Sequence, residues 1–296
     1  MTKPVSDLPG EGKTSAYFGG GAALYDRSRP AYPDAMVSCI VAAMPGHEVV
    51  NVGCGTGIEA RQFQAAGCTV LGVDPDAEMA EYARSTGVEV EVATFEDWAA
   101  AGRRFDAVVA GTAWHWVDPL AGAAKAAQVL RLGGVLAPFH HSSHTPPELA
   151  EAAGGTTLPA WTTRSAEAYG RIAPVSEYGS DGRRCAAMDL YQPMFDAFAD
   201  GIRRTGAFGE PEQWRFDWER TYSRDEWLAL VPTQTALAKL SSDQLARVLE
   251  AVAGAIDRMG GSFTMPYSTV AVTAVRVDVS EEGSGGPPRS RKGQRA

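Results

Sequence analysis

The chain has 296 residues, 45% of them hydrophobic and 21% charged, with a formal net charge of -9. That is globular composition with room for a sizeable core, and its acidic balance argues against a general nucleic-acid binder, which shows a basic face. No apolar run reaches membrane-spanning length, and the four cysteines, Cys39, Cys54, Cys68 and Cys185, have neither paired metal spacing nor the density of a disulfide framework. The N-terminus is polar and lacks a signal-peptide core, so the expected compartment is the cytoplasm.

In chain order, residues 1–20 read as a flexible N-terminus ending at Gly19 and Gly20. The arm Leu24-Tyr25-Asp26 and Arg27-Ser28-Arg29-Pro30-Ala31-Tyr32-Pro33 follows, and Asp34 to Ala43 reads as an amphipathic helix. Strands are expected near 48–52, 69–73, 88–92, 105–110 and 134–139, and helices near 57–66, 76–85, 95–101 and 119–130. Such alternation implies a parallel sheet with helices on both faces, an α/β core over 21–140. Residues 141–205, with His140-His141-Ser142-Ser143-His144 at their start, are too long for a simple connection and read as an inserted cap over a substrate site. Its aromatic residues Trp161, Tyr169, Tyr178, Tyr191 and Phe195 suit an apolar or ring-containing molecule. A strand at Glu212–Tyr222, helices near 224–231 and 243–259, and an alternating strand from Phe263 to Val277 complete the sheet within 206–279. Residues 280–296, rich in Gly, Ser, Pro and charge, read as a disordered tail.

The stretch from Val49 to Asp74 is the most informative. Val49-Val50-Asn51-Val52 is a buried-strand run that ends in Gly53-Cys54-Gly55-Thr56-Gly57, and Val70-Leu71-Gly72-Val73 ends at Asp74. Strand, glycine turn, helix, strand and carboxylate make half of a nucleoside-binding domain. The glycines let main-chain N–H groups approach a ligand, and Asp74 sits where a carboxylate can accept both ribose hydroxyls. A dinucleotide fingerprint would need glycine at position 58, which is Ile58. A ligand without a pyrophosphate therefore fits better than a nicotinamide dinucleotide.

The turn resembles the first motif of the class I S-adenosylmethionine (SAM)-dependent methyltransferases, a hydrophobic strand, an acidic residue and G-x-G-x-G. Val73-Asp74-Pro75-Asp76 resembles the family's second motif, Val90 to Asp97 the third, Phe105 to Gly111 the fourth strand, and Val129 to Leu136 the Gly-Gly turn and fifth strand. The resemblance covers roughly residues 25 to 140. It implies a Rossmann-like, doubly wound, seven-stranded sheet with the last strand antiparallel, and SAM as cofactor. The His-Trp pair at 115–116 and the Tyr-Asp-x-x-Arg-Pro-x-Tyr-Pro arm resemble a small-molecule branch that includes trans-aconitate-type methyltransferases. That likeness implies methyl transfer to a small-molecule acceptor, through an oxygen of a carboxylate or hydroxyl, with no nucleic acid or membrane as partner. Alternatives are N- or C-methylation of a small metabolite, or a SAM-binding protein without turnover.

Ligands of open α/β sheets sit at the carboxyl ends of the strands. On that rule the resemblance assigns the cofactor to Asn51, Gly53, Gly55, Gly57, Asp74, Pro75, Met79, Thr94, Phe95, Glu96, Gly111 and Thr112. It assigns the acceptor to Tyr25, Arg29, Trp114, His115, His140 and His141, and catalysis to His115, whose unperturbed pKa is near neutral. Trp116 is expected in the core. Asn51 departs from the family, which has Asp or Glu there; an amide loses the charge-assisted bond to the cofactor's amino end. No metal is expected, because the histidines at 140, 141 and 144 have no nearby Cys or Asp to complete a set.

Overall fold

The computed structural model describes residues 21–152, 191–234 and 240–278. The N-terminal segment expected to be flexible, most of the expected cap and the expected tail lie outside these residues. The elements in order are α1 (Gly21–Ser28), α2 (Asp34–Ala43), β1 (Glu48–Val52), α3 (Ile58–Ala65), β2 (Thr69–Asp74), α4 (Ala77–Ser85), β3 (Glu89–Val92), β4 (Phe105–Gly111), α5 (Pro119–Val129), β5 (Leu130–Ser143) and α6 (Pro147–Ala152). Then come α7 (Gln192–Thr205), β6 (Glu212–Ser223), α8 (Arg224–Leu230), α9 (Ser242–Arg258) and β7 (Ser262–Val275).

The seven strands form one sheet in the order β3-β2-β1-β4-β5-β7-β6. Strands β1 to β5 pair in parallel, and β7 runs antiparallel to both β5 and β6. The expected seven-stranded sheet with an antiparallel last strand is therefore present. The chain winds from β1 outward to β3, then returns to β4 on the other side of β1. The crevice at the carboxyl ends of β1 and β4 is the topological switch point, where such sheets bind ligands.

Strand alternation sorts the core into two layers. Val50, Val52, Leu71, Val73, Val108 and Leu136 face α5 and α7, meeting Ala123, Ala126, Phe195, Phe198 and Ile202. Val49, Val70, Val109, Val135 and Ala137 face the other way, against Met36, Ile40, Phe63 and Ala80. Each fully buried side chain of Leu, Ile or Phe size contributes about 1.5–3 kcal/mol, so the switch point rests on a rigid double layer. A third cluster of Tyr222, Trp227, Leu230, Ile256 and Phe263 joins the far ends of β6 and β7 to α8 and α9.

Three sequence expectations change. Residues 95–101 form no helix: 95–97 and 101–102 are turns, joined by irregular chain. The Thr94 hydroxyl bonds both the Asp97 amide and its carboxylate (3.3 and 2.9 Å), and Ala101 and Gly102 both take positive φ (51° and 81°), which a helix cannot continue through. Strand β5 is longer than 134–139 and runs to Ser143, because β7 supplies a partner as far as the pair Ser143–Tyr267. His140 and His141 are thus strand residues, not loop residues. Residues 192–205, grouped with the cap by length alone, form α7 of the main core, with Phe195 buried.

Candidate active site

The glycine turn sits at the end of β1. Gly53, Gly55 and Gly57 have φ of 62°, 53° and 87°, the left-handed region that L side chains avoid. The turn is locked from β2. Asp74 Oδ2 accepts from the Gly55 amide at 2.7 Å and Oδ1 from the Asp76 amide at 2.8 Å. Asp74 is buried, and that burial raises its carboxyl to about 6. Asp76 caps α4 by accepting from the Glu78 and Met79 amides, while Pro75 is exposed between them. A Cβ on Gly55 would meet nothing within 4 Å, so the turn opens onto space there; one on Gly53 would lie 2.5 Å from the Ala113 Cβ.

Across the crevice, Gly111 ends β4. A Cβ on it would lie 2.8 Å from both Glu59 Oε1 and the Tyr32 hydroxyl oxygen. Thr112 has a positive φ of 52°, an outlier for a β-branched residue, and is held by the Tyr32 hydroxyl at 2.9 Å and by its own amide donating to the Phe139 carbonyl. Strain of this kind gathers at ligand clamps.

The structure brings Asn51, Gly53, Gly55, Gly57, Asp74, Gly111 and Thr112 together around the switch point. Others of the expected contacts fall elsewhere. Phe95 and Met79 are buried in the protein core, Phe95 stacked on Trp98 at 6.2 Å. Thr94 and Glu96 are exposed, and Glu96 accepts from the Asp118 amide. Trp114 and Trp116 exchange the burial expected of them. Trp114 packs against Phe95 in the core with 1% exposure, whereas Trp116 is 66% exposed. The cause is the tight 3₁₀ turn Trp114–Trp116, whose roughly three residues per turn point the two side chains in different directions, about 120° apart.

His115 projects from that turn toward β5. Its ring lies 5.7 Å from that of His140, which in turn stands 5.0 Å from Tyr191. His141, on the opposite face of β5, is ringed by Tyr32 (5.1 Å), Tyr267 (5.6 Å) and Trp218 (6.2 Å). Burial holds all three imidazoles neutral near pH 7: His115 is lowered to about 4, His141 to about 3, and His140 well below its ordinary value. Arg29 reaches the Thr233 carbonyl at 2.6 Å and lies over the Tyr25 ring at 4.9 Å. The arm is fastened to α3 by the Arg61–Asp26 pair at 2.7 Å. Among the described residues no group of three or more His, Cys, Asp or Glu is placed to hold a metal ion, and no helix is long and apolar enough to cross a membrane.

Sequence reasoning passed over Glu59. It is buried in the first turn of α3, where an acid is unremarkable at a helix start. Its Oε1 accepts from Asn51 Nδ2 at 3.1 Å and from the Gly111 amide at 3.3 Å, and burial raises the carboxyl to about 7. The signal that could have found it was the amide at position 51, a local loss of charge that a neighbour can restore.

Residues 50–137 match the family described as a methyltransferase domain. An uncharacterized methyltransferase of Mycobacterium tuberculosis is 34% identical over 124 residues, 41% of this chain and 51% of that protein. A malonyl-[acyl-carrier protein] O-methyltransferase of Enterobacter lignolyticus is 32% identical over 143 residues, 44% of this chain and 57% of that protein. The chain thus spans about half the length of the curated relatives it matches. A solved structure from Anaeromyxobacter dehalogenans, provisionally described as a type II methyltransferase, superposes over 84% of this chain and 97% of its own with a TM-score of 0.57 at 21% identity; it supports the fold.

Proposed function

We propose that this chain is a SAM-dependent methyltransferase acting on a small molecule through an oxygen, with a carboxylate ahead of a hydroxyl. The observation that carries the reading is the lock between Gly55 and Asp74 at the switch point, inside the segment that matches a methyltransferase domain. The residues present fit the cofactor. Asp74 offers acceptors to ribose hydroxyls, the space beyond Gly55 admits a ligand, and two buried polar atoms at the turn, Asn51 Oδ1 and Thr56 Oγ1, have no partner among the described residues.

When bound, SAM supplies a methyl group already activated by its sulfonium. The chain's task is then to place an acceptor oxygen in line behind that carbon and to keep water out. Such alignment can account for on the order of 7–11 kcal/mol of a barrier. His115, in the turn after β4, and His140, among the last paired residues of β5, are neutral imidazoles that can orient an acceptor through hydrogen bonds. An imidazole held near pKa 4 is a weak base. A carboxylate needs no base, which favours it over a hydroxyl. The match to a malonyl-[acyl-carrier protein] O-methyltransferase of Enterobacter lignolyticus supports an oxygen acceptor. Arg29 and Tyr25 on the arm close the site on one side, and Tyr191 flanks His140 on the other.

Isothermal titration of the full chain with SAM, S-adenosylhomocysteine (SAH) and NADH tests the reading. The two sulfur ligands should bind and NADH should not. Asp74→Ala, which removes charge-assisted acceptors, should weaken both by about 100-fold. A folded wild type that binds neither sulfur ligand would sink the proposal. With binding established, small carboxylic acids and phenols become the acceptors to screen.

A further inference from the structure

In the resembled family a carboxylate ends β1, at the position occupied here by Asn51. The structure shows where a carboxylate has gone instead. Glu59 reaches back from α3 into the switch-point crevice and bridges its two walls, accepting from Asn51 Nδ2 on β1 and from the Gly111 amide on β4. Asn51 is fully buried (0% exposed), its nitrogen is turned to Glu59, and its Oδ1 has no donor among the described residues. No lysine, arginine or histidine among the described residues forms an ion pair with Glu59. A buried carboxylate without a cation beside a buried carbonyl without a donor is a costly arrangement for the protein alone. A donor-rich cation would satisfy both.

We propose that Glu59, acting with the Asn51 amide oxygen, holds the α-ammonium group of the cofactor, so that the acidic anchor of this site stands on α3 instead of at the end of β1. This rests on the SAM reading above and deepens it. The chemistry of the donor set supports it. An ammonium offers three N–H donors, enough for the Asn51 oxygen and the Glu59 carboxylate together, and a charge-assisted bond is roughly twice as strong as a neutral one. The pairing also explains why an amide is tolerated at 51. Its nitrogen orients Glu59 while its oxygen keeps the acceptor that a carboxylate would have provided. Glycine at 111 leaves room for Glu59 among its neighbours, since a Cβ there would sit 2.7 Å from Phe139 Cε2 and 2.8 Å from both Glu59 Oε1 and the Tyr32 hydroxyl oxygen. Structural stapling of β1 to β4 by a neutral Glu59 is the competing explanation, and the test separates the two.

The probes are SAH and its analogue lacking the α-amino group, titrated into the full chain and into Glu59→Gln. Glutamine keeps an oxygen for Asn51 and Gly111 and so keeps the staple. The wild type should prefer SAH over the deaminated ligand by about ten-fold or more. In Glu59→Gln that preference should fall to within about two-fold, with affinity for the deaminated ligand unchanged. A preference that survives in Glu59→Gln overturns the assignment while leaving the methyltransferase reading intact; a wild type that binds neither ligand overturns both. Should the variant not fold, the wild type answers by itself. Its preference should shrink as pH falls from 8 to 5.5 and Glu59 takes up a proton. Asp74, raised to about 6, titrates in the same range and its charge acts on Glu59, but in this reading it faces the ribose that both ligands carry; Tyr25 and Tyr32 are pushed up by burial and stay neutral throughout. A preference constant over that range would overturn the assignment.

Discussion

Replacing Glu59 by glutamine should make the ligand-free protein more stable at pH 8 and change little near pH 5. Burial raises this carboxyl from 4.5 to about 7. At about 1.4 kcal/mol for each pH unit of that gap, the ionised form costs the fold about 3 kcal/mol. The sign follows from the proton count. Between pH 4.5 and 7 the folded chain holds a proton that the unfolded chain has released. Stability therefore falls as pH rises through that window and levels off above it. Glutamine has no proton to lose and can still accept from Asn51 Nδ2 and Gly111. The variant should gain up to about 3 kcal/mol at pH 8, a rise in Tm of roughly 6–12 °C for a chain of this size, shrinking to a degree or two at pH 5. Asp74, raised to about 6 by the same cause, is present in both proteins and cancels. Thermal melts followed by circular dichroism at pH 5, 6, 7 and 8 would measure the difference. A variant no more stable than wild type at pH 8, or a difference that does not change with pH, would refute the argument that this site stores an uncompensated charge.

The turn glycines should separate stability from binding. Gly53→Ala drives its Cβ to 2.5 Å from Ala113 at a positive φ, adding a clash to the backbone strain, and should lower Tm by more than Gly55→Ala does. Gly55→Ala meets no protein atom and should cost only about 1–2 kcal/mol of backbone strain, yet weaken SAH binding by about ten-fold or more; calorimetry and thermal melts on the pair decide it. His115→Gln should leave SAH affinity within about two-fold and lower kcat on an acid acceptor. Because the wild-type imidazole is held near 4, initial rates between pH 5.5 and 8 should show no limb belonging to His115. A limb near pH 6.5 that vanishes in the variant would contradict that environment.

What the sequence made legible was the part where backbone conformation dictates residue type. Three glycines at positive φ, an aspartate hydrogen-bonded directly to one of them and short apolar strands all leave local signatures, and the strands β1 to β4 fall within a residue or two of their expected limits. Side-chain destinations were less legible, because they depend on neighbours distant in the chain. Phe95 and Met79 are the right type for an adenine wall and equally for a core, and the packing of Trp98, Trp114 and α5 gave Phe95 to the core. Trp114 and Trp116 are identical in type; only the phase of one tight turn decides which is buried. His140 and His141 looked like loop residues until β7, more than 120 residues later, supplied the partner that makes them strand.

Glu59 shows why this limit falls hardest on function. In sequence, Asn51 reads as a lost charge and Glu59 as an ordinary acid in a helical first turn; neither alone suggests a site. Only the fold sets them 3.1 Å apart, with the Gly111 amide as a third member from another strand. A charge moved between elements keeps the electrostatics of a site while erasing its motif. A variant motif is therefore weak evidence for lost function until the space around the missing atom has been searched for a carboxylate that can reach it.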